Sequence, residues 1–326
     1  MKRLPYLGQD AQEAFLRDHG MISSVPLTNT ERDWLETINF HYFLGYARNL
    51  RQLRREGVVD VDPTIGTLRS LIADEEELAA FLTPWLRRAE WYLRTLTVKH
   101  FCSAPGHGEG YLDTSRWTSL RQGDRPQLQT KILDGIQRHG EPYVAKHLTE
   151  AASRMGLKSR PRFCPGSNEE LWLELTKNLP LWAVVDSFSI GTLGKFIQMC
   201  GVAEGKESGV SLAVPVWKEI SKELGISAKH FSVTVDAFGV LRNTVFHHQR
   251  LWLRPMAKSP GMPKDLQRRY REGEFKNQNK QAQFVVLVVL SRLLPGDLRA
   301  IYLQELEEFL EQRPLLKLGI MTSPFA

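Results

Sequence analysis

Arg242, Asn243 and His247 bring a guanidinium, an amide and an imidazole into one short stretch of chain, and His248, Arg250 and Arg254 follow directly. On a helix each residue advances about 100°. Asn243, His247, Arg250 and Arg254, spaced four, three and four apart, then share one face, with Arg242 on its flank. Behind that ridge Ala237, Val240, Leu241, Thr244 and Leu251 make an apolar stripe, and His248 aligns with Leu241 and Thr244, which predicts partial burial. Gly239, one turn before Asn243, leaves space for a neighbouring helix or a ligand. These groups suit cleavage of an RNA phosphodiester, where the ribose 2′-hydroxyl is itself the nucleophile. The protein then supplies only proton transfer and charge stabilisation. Imidazole exchanges protons near neutrality, guanidinium stabilises charge on the phosphorane oxygens, and the amide orients either partner. The sequence offers no carboxylate cluster with metal-ligand spacing, so the expected chemistry uses no metal and no cofactor. Taken alone, a His-His pair on an amphipathic helix is more often a surface or satisfied core feature. On spacing, His247 is the candidate for proton transfer, and His248, Arg250 and Arg254 are supporting candidates.

The elements that must position this segment read as helices throughout. Apolar residues three and four apart predict a helix from Glu31 to Leu53, with Thr30 as its N-cap. Another is predicted from Asp74 to Phe101, kinked or broken at Pro84. It carries Glu90 and Arg94, which fit either a support for the Arg-Asn-His segment or an ordinary i, i+4 surface pair. Further helices are expected over Gln127–His139, Pro142–Met155, Leu181–Cys200, Val210–Leu224, Ala228–Leu253, Gln281–Leu294 and Leu298–Gln312. Glycine and proline make loops of Ser103–Arg125 and Lys158–Asn168. The β-branched run Phe284–Leu290 has strand propensity, but beside a helical tail it reads as a buried helix. The expected fold is all-α, one helical domain over 1–326: an N-terminal helical part to about 103, a loop over about 104–126, and a C-terminal helical part from about 127.

Composition narrows the class. With 42% hydrophobic and 25% charged residues the chain lies in the globular range. No apolar run reaches the roughly 18 residues of a membrane span, and the Met1-Lys2-Arg3 start lacks the apolar stretch of a secretory signal. Three scattered cysteines without a CxxC fit a reducing cytoplasm better than a disulfide framework. The net charge of +6 is modest, and arginine groups such as Arg48, Arg51, Arg54 and Arg55 read first as solvated helix faces. Arginine's planar fork nevertheless leans them toward phosphate.

Arg242-Asn243-Thr-Val-Phe-His247 resembles the Arg-Asn-x-x-x-His signature of the HEPN superfamily (higher eukaryotes and prokaryotes nucleotide-binding). With His248-Gln-Arg250-Leu-Trp252 it resembles the Abi-like (abortive infection) family more narrowly, although Leu253 stands where that family's pattern has asparagine. Tyr42-x-x-Gly45-Tyr46, Glu90-x-x-x-Arg94, Leu179-Pro180-Leu-Trp182 and Phe188-Ser-Ile-Gly191-Thr-Leu resemble the family's other motifs in order, with Ile190 an insertion into the last. The resemblance implies a HEPN-type helical bundle and a metal-independent endoribonuclease of phage defence. It implies Arg242 and His247 as catalytic residues with Asn243 supporting, and a homodimer in which two such motifs face each other. RNA is the implied partner, and some such proteins are held in check by a cognate protein or RNA. The alternative from the same residues is a protein that binds RNA, or senses a phage component, without cutting.

Overall fold

The computed structural model describes residues 6–23, 26–103, 108–117, 124–203, 213–256, 259–273, 275–276 and 280–323. Parts of the Ser103–Arg125 loop and the start of the expected Val210–Leu224 helix lie outside these residues. The chain opens with α1 (Gln9–Asp18), α2 (Asn29–Glu36), α3 (Phe40–Arg55) and the 38-residue α4 (Ile65–Cys102). Next come α5 (Asp124–Arg138), α6 (Pro142–Arg154), α7 (Glu169–Thr176), α8 (Leu181–Val184) and α9 (Ile190–Met199). After α10 (Val216–Leu224) and α11 (Ala228–Phe246), the chain closes with α12 (Lys264–Arg269), α13 (Gln283–Leu290), α14 (Leu298–Glu311) and α15 (Pro314–Met321). The fold is all-α. Its only strands among the described residues are β1 (Gly201–Ala203) and β2 (Ala213–Pro215), a short antiparallel ladder with Val202 opposite Val214.

Local chemistry sets the boundaries, and several differ from expectation. The stretch predicted as one helix from Glu31 is two. Thr28, not Thr30, caps α2 in a reciprocal capping box with Glu31. Asn39 then restarts the chain, its side-chain oxygen accepting the His41 and Tyr42 N–H groups at 2.9 and 3.2 Å. The Leu181–Cys200 stretch also breaks, at a 3-10 turn over Val185–Ser187, and Ser189 caps α9. Pro84 does not break α4. It lies on the exposed side of the helix, as does Ala80, whose carbonyl loses its intrahelical donor and can be served by water.

The core follows from the pattern. Leu68, Leu78, Leu82, Leu86, Ala89 and Leu93 bury one stripe of α4 along its length. Every residue of α13 is buried, as an all-round apolar helix requires, so the Phe284–Leu290 run is helix rather than strand. α11 packs against α4, α9, α10 and α13, which fixes the Arg242 segment in the middle of the molecule. Cys102, Cys164 and Cys200 are unpaired thiols, and no helix among the described residues is long and apolar enough to cross a membrane.

Candidate active site

α11 ends at Phe246, eight residues short of Arg254, and this changes where the candidates point. His247 is the C-cap, and His248 has φ +53, the left-handed region. The Gln249 N–H bonds the Thr244 carbonyl at 2.9 Å and the His248 N–H bonds that of Val245 at 3.2 Å, the paired bonds of a Schellman turn. Such turns usually place glycine in the left-handed position, so nothing local in the sequence announces this one. The expected four-residue ridge is therefore cut. Asn243 and His247 keep their relation, whereas Arg250 and Arg254 leave the face. His248 is exposed, not partly buried, and so is Val240 of the expected apolar stripe. Nor does Gly239 admit a close neighbour, for a Cβ there would meet Ile190 at an ordinary 3.9 Å.

What stops the helix is a buried brace. Leu251, Trp252 and Leu253 are consecutive and all essentially inaccessible, which no single helix face can achieve. Glu75 of α4, itself 4% exposed, accepts the Leu251 and Trp252 N–H groups at 2.6 and 2.9 Å. Burial holds the Glu75 carboxyl above its ordinary range, against the pull of those two donors, Tyr46 and Arg250. The Tyr46 phenol, bonded to the Tyr42 hydroxyl at 2.9 Å, is pushed far up by burial and by the Glu75 charge, which keeps it a proton donor. Arg250 folds inward over the Tyr46 ring, 5.5 Å from its centroid. Gly45 makes room for it: a Cβ there would stand 2.6 Å from an Arg250 terminal nitrogen. Trp252 stacks on Tyr46 and donates its indole N–H to the Leu315 carbonyl at 2.9 Å. The Tyr-Gly-Tyr and His-His-x-Arg-Leu-Trp motifs are thus two halves of one contact. Leu253 is a second left-handed residue, φ +51, at the position where the resembled pattern has asparagine, a residue better suited to that backbone.

On the other side of the turn lies a cleft of about 1020 Å³, onto which Arg242, Asn243 and His247 all open. A second glutamate of α4 holds the first of them. Glu90 bonds Arg94 at 2.6 Å with one oxygen and Arg242 at 3.2 Å with the other. Arg94 continues to the carbonyls of Val185 and Phe188, the latter at 2.8 Å, and so ties the α8–α9 connection to the same carboxylate. With side chains only 14% and 10% exposed, Glu90 and Arg94 are no surface pair. The Arg242 guanidinium also lies 4.5 Å from the Phe246 ring centroid and 3.4 Å from the Asn243 amide oxygen. It is held on three sides with its remaining donors toward the cleft.

Of the candidates, Arg242, Asn243, His247, Glu90 and Arg94 come together around one cleft. His248 faces a separate cavity of about 900 Å³ beside Tyr42 and Glu76. Arg250 belongs to the brace, and Arg254 bonds Gln249 at 2.7 Å. The cleft is also lined by residues the sequence did not single out: Lys131, Arg138 and His139 from α5 and its end, and Lys195 from α9. They sit on different helices with no shared motif, and each reads locally as a solvated charge. Among the described residues no group of His, Cys, Asp and Glu side chains is arranged to hold a metal ion.

Fold and site together define an all-α protein with an Arg-Asn…His motif on the wall of a polar cleft. The model of the Abi-like protein family matches residues 33–253, about two-thirds of the chain and every motif above, so the chain belongs to that family. Membership links it to abortive infection, a form of phage defence. The match stops at Leu253, so α12–α15, with the α15 residues Leu315 and Gly319 that pack on Trp252, lie beyond it. No curated protein and no solved structure matches the chain.

Proposed function

We propose that this Abi-like protein is a metal-independent endoribonuclease that cuts RNA through its own 2′-hydroxyl, as a toxin-type agent of abortive infection. The observation that carries the reading is the convergence of Arg242, Asn243 and His247 on one cleft, with Arg242 held by the Glu90–Arg94 pair. In the reaction the 2′-oxygen attacks the adjacent phosphorus and the bond from phosphorus to the 5′-oxygen breaks. The 2′-hydroxyl proton passes to a base, a proton reaches the leaving 5′-oxygen, and the products are a 2′,3′-cyclic phosphate and a 5′-hydroxyl. His247 serves proton transfer. Arg242 stabilises the charge on the non-bridging oxygens, and Asn243 orients its neighbours. The resemblance of this motif to the HEPN signature supports the assignment.

One chain offers a single Arg-Asn…His set, whereas the reaction needs both a proton acceptor and a proton donor. A homodimer with two motifs face to face completes the pair, and Val240 and Phe246, 47% and 39% exposed on either side of Asn243, supply apolar surface for such a contact. The toxin reading places the protein in the cytoplasm, with RNA as its substrate and a cognate antitoxin, protein or RNA, restraining it. The test is cleavage of labelled single-stranded and transfer RNA by purified protein in excess EDTA, beside His247→Ala. Cutting by the wild type alone, with cyclic phosphate ends, is the expected result. RNA held but not cut points instead to a binding protein, and no interaction with RNA at all ends the nuclease reading.

A further inference from the structure

We propose that Lys131 and Lys195 are positioning residues that grip the RNA backbone where α5 and α9 line the cleft that holds the Arg242 motif. The inference rests on the endoribonuclease reading and assigns the half of the site that the motif leaves open. Charge pairing within the cleft isolates the two lysines. Arg94 and Arg242 share Glu90, and Arg138 is bonded to Asp134 at 2.6 Å. Asp186 adds the third carboxylate, near Arg94. Three arginines and three carboxylates therefore balance, and the surplus positive charge of the cleft is Lys131 and Lys195.

Both lysines are exposed, and neither has an ion pair or a hydrogen bond among the described residues. An exposed lysine on a helix is ordinarily just a solvated charge. Here two different helices, α5 and α9, contribute one each to the same concave surface, onto which a guanidinium, an amide and an imidazole also open. Low-dielectric walls concentrate such a field on a polyanion. Lysine also suits the task, because a mobile point charge holds a phosphate without fixing its orientation. It positions the strand and reads no base. Arg242, rigidly held, is left for the phosphate that reacts.

The experiment measures binding of the full-length protein carrying His247→Ala, which cannot consume its ligand, to labelled single-stranded RNA across a salt series. Lys131→Gln, Lys195→Gln and their combination are compared on that background, with Lys146→Gln, exposed on α6 away from the cleft, as control. The salt slope is expected to fall by about 0.7 for each cleft lysine removed, and low-salt affinity by roughly tenfold for the pair. Lys146→Gln changes neither, and the double Lys→Arg variant retains both. In the His247 enzyme the loss falls on KM, since the lysines act on binding rather than on the reacting atoms. If the parent binds RNA and the double Gln variant keeps its slope and KM, the proposal is overturned while the nuclease reading stands. If the parent binds no RNA and the wild type cuts none, both fall.

Discussion

Glu75 and Glu90 lie about four turns apart on α4, and each holds one end of the segment that gives this family its signature. Glu75 is sealed from solvent and spends its oxygens on two backbone N–H groups beyond the helix end. Glu90 borders the cleft and divides its oxygens between two guanidinium groups. The first pattern neutralises orphaned backbone donors around a tryptophan and an inward-folded arginine, which is what a chain reversal needs. The second leaves arginine donors available to something arriving from solution. Under the proposed function, two carboxylates on one helix therefore separate stability from chemistry, and substitutions can show how complete that separation is.

The largest effect is expected from Glu75→Ala, which strands two buried N–H groups and the Arg250 charge. A loss of about 3–5 kcal/mol is expected in urea unfolding, with cleft function lost only through unfolding. The pH dependence sharpens the point. Because burial raises the Glu75 pKa above its ordinary 4.5, the folded state binds that proton more tightly than the unfolded chain. Its contribution is fully present below pH 4.5 and is lost as pH rises through the raised value. The stability of the wild type relative to Glu75→Gln should fall over that rise, and a flat difference would reject the assignment.

Next in size is Gly319→Ala. A Cβ there collides with the buried Trp252 indole, and overpacking of this kind costs about 1–3 kcal/mol, read as a shifted urea midpoint. Glu90→Gln tests the opposite region. Stability should drop by only about 1 kcal/mol, while RNA cleavage falls on the order of tenfold or more as Arg242 loses its orientation. An equal loss in both would merge the two regions into one structural unit. The smallest change is expected from His248→Gly, which relieves a left-handed backbone and should stabilise by up to about 1 kcal/mol, leaving cleavage intact. A loss of cleavage there would draw the second cavity into the chemistry.

Much was legible in the sequence. The all-α class, the buried Phe284–Leu290 helix, and the grouping of Arg242, Asn243 and His247 follow from 3.6-residue periodicity, which is local information. The Glu90–Arg94 pair was visible too, as either a support for the motif or a surface pair; the choice between them was not, because the contact with Arg242 joins residues 152 apart in sequence. The end of α11 was hidden for a different reason. Its Schellman turn has histidine where glycine would have signalled it, and the turn is enforced by a distant carboxylate and by the burial of Trp252. Arg250 is the clearest casualty: its spacing placed it with His247, and its packing over Tyr46 placed it elsewhere.

By itself the sequence determined the all-α class and which chemical groups the motif segment offers, because periodicity acts within a few residues. Only the tertiary structure decided where that helix stops, that Arg250 leaves its face, and that Lys131 and Lys195 line the same cleft as Arg242. Those outcomes depend on burial and on carboxylates reaching across the fold, energies that no local window of the chain contains.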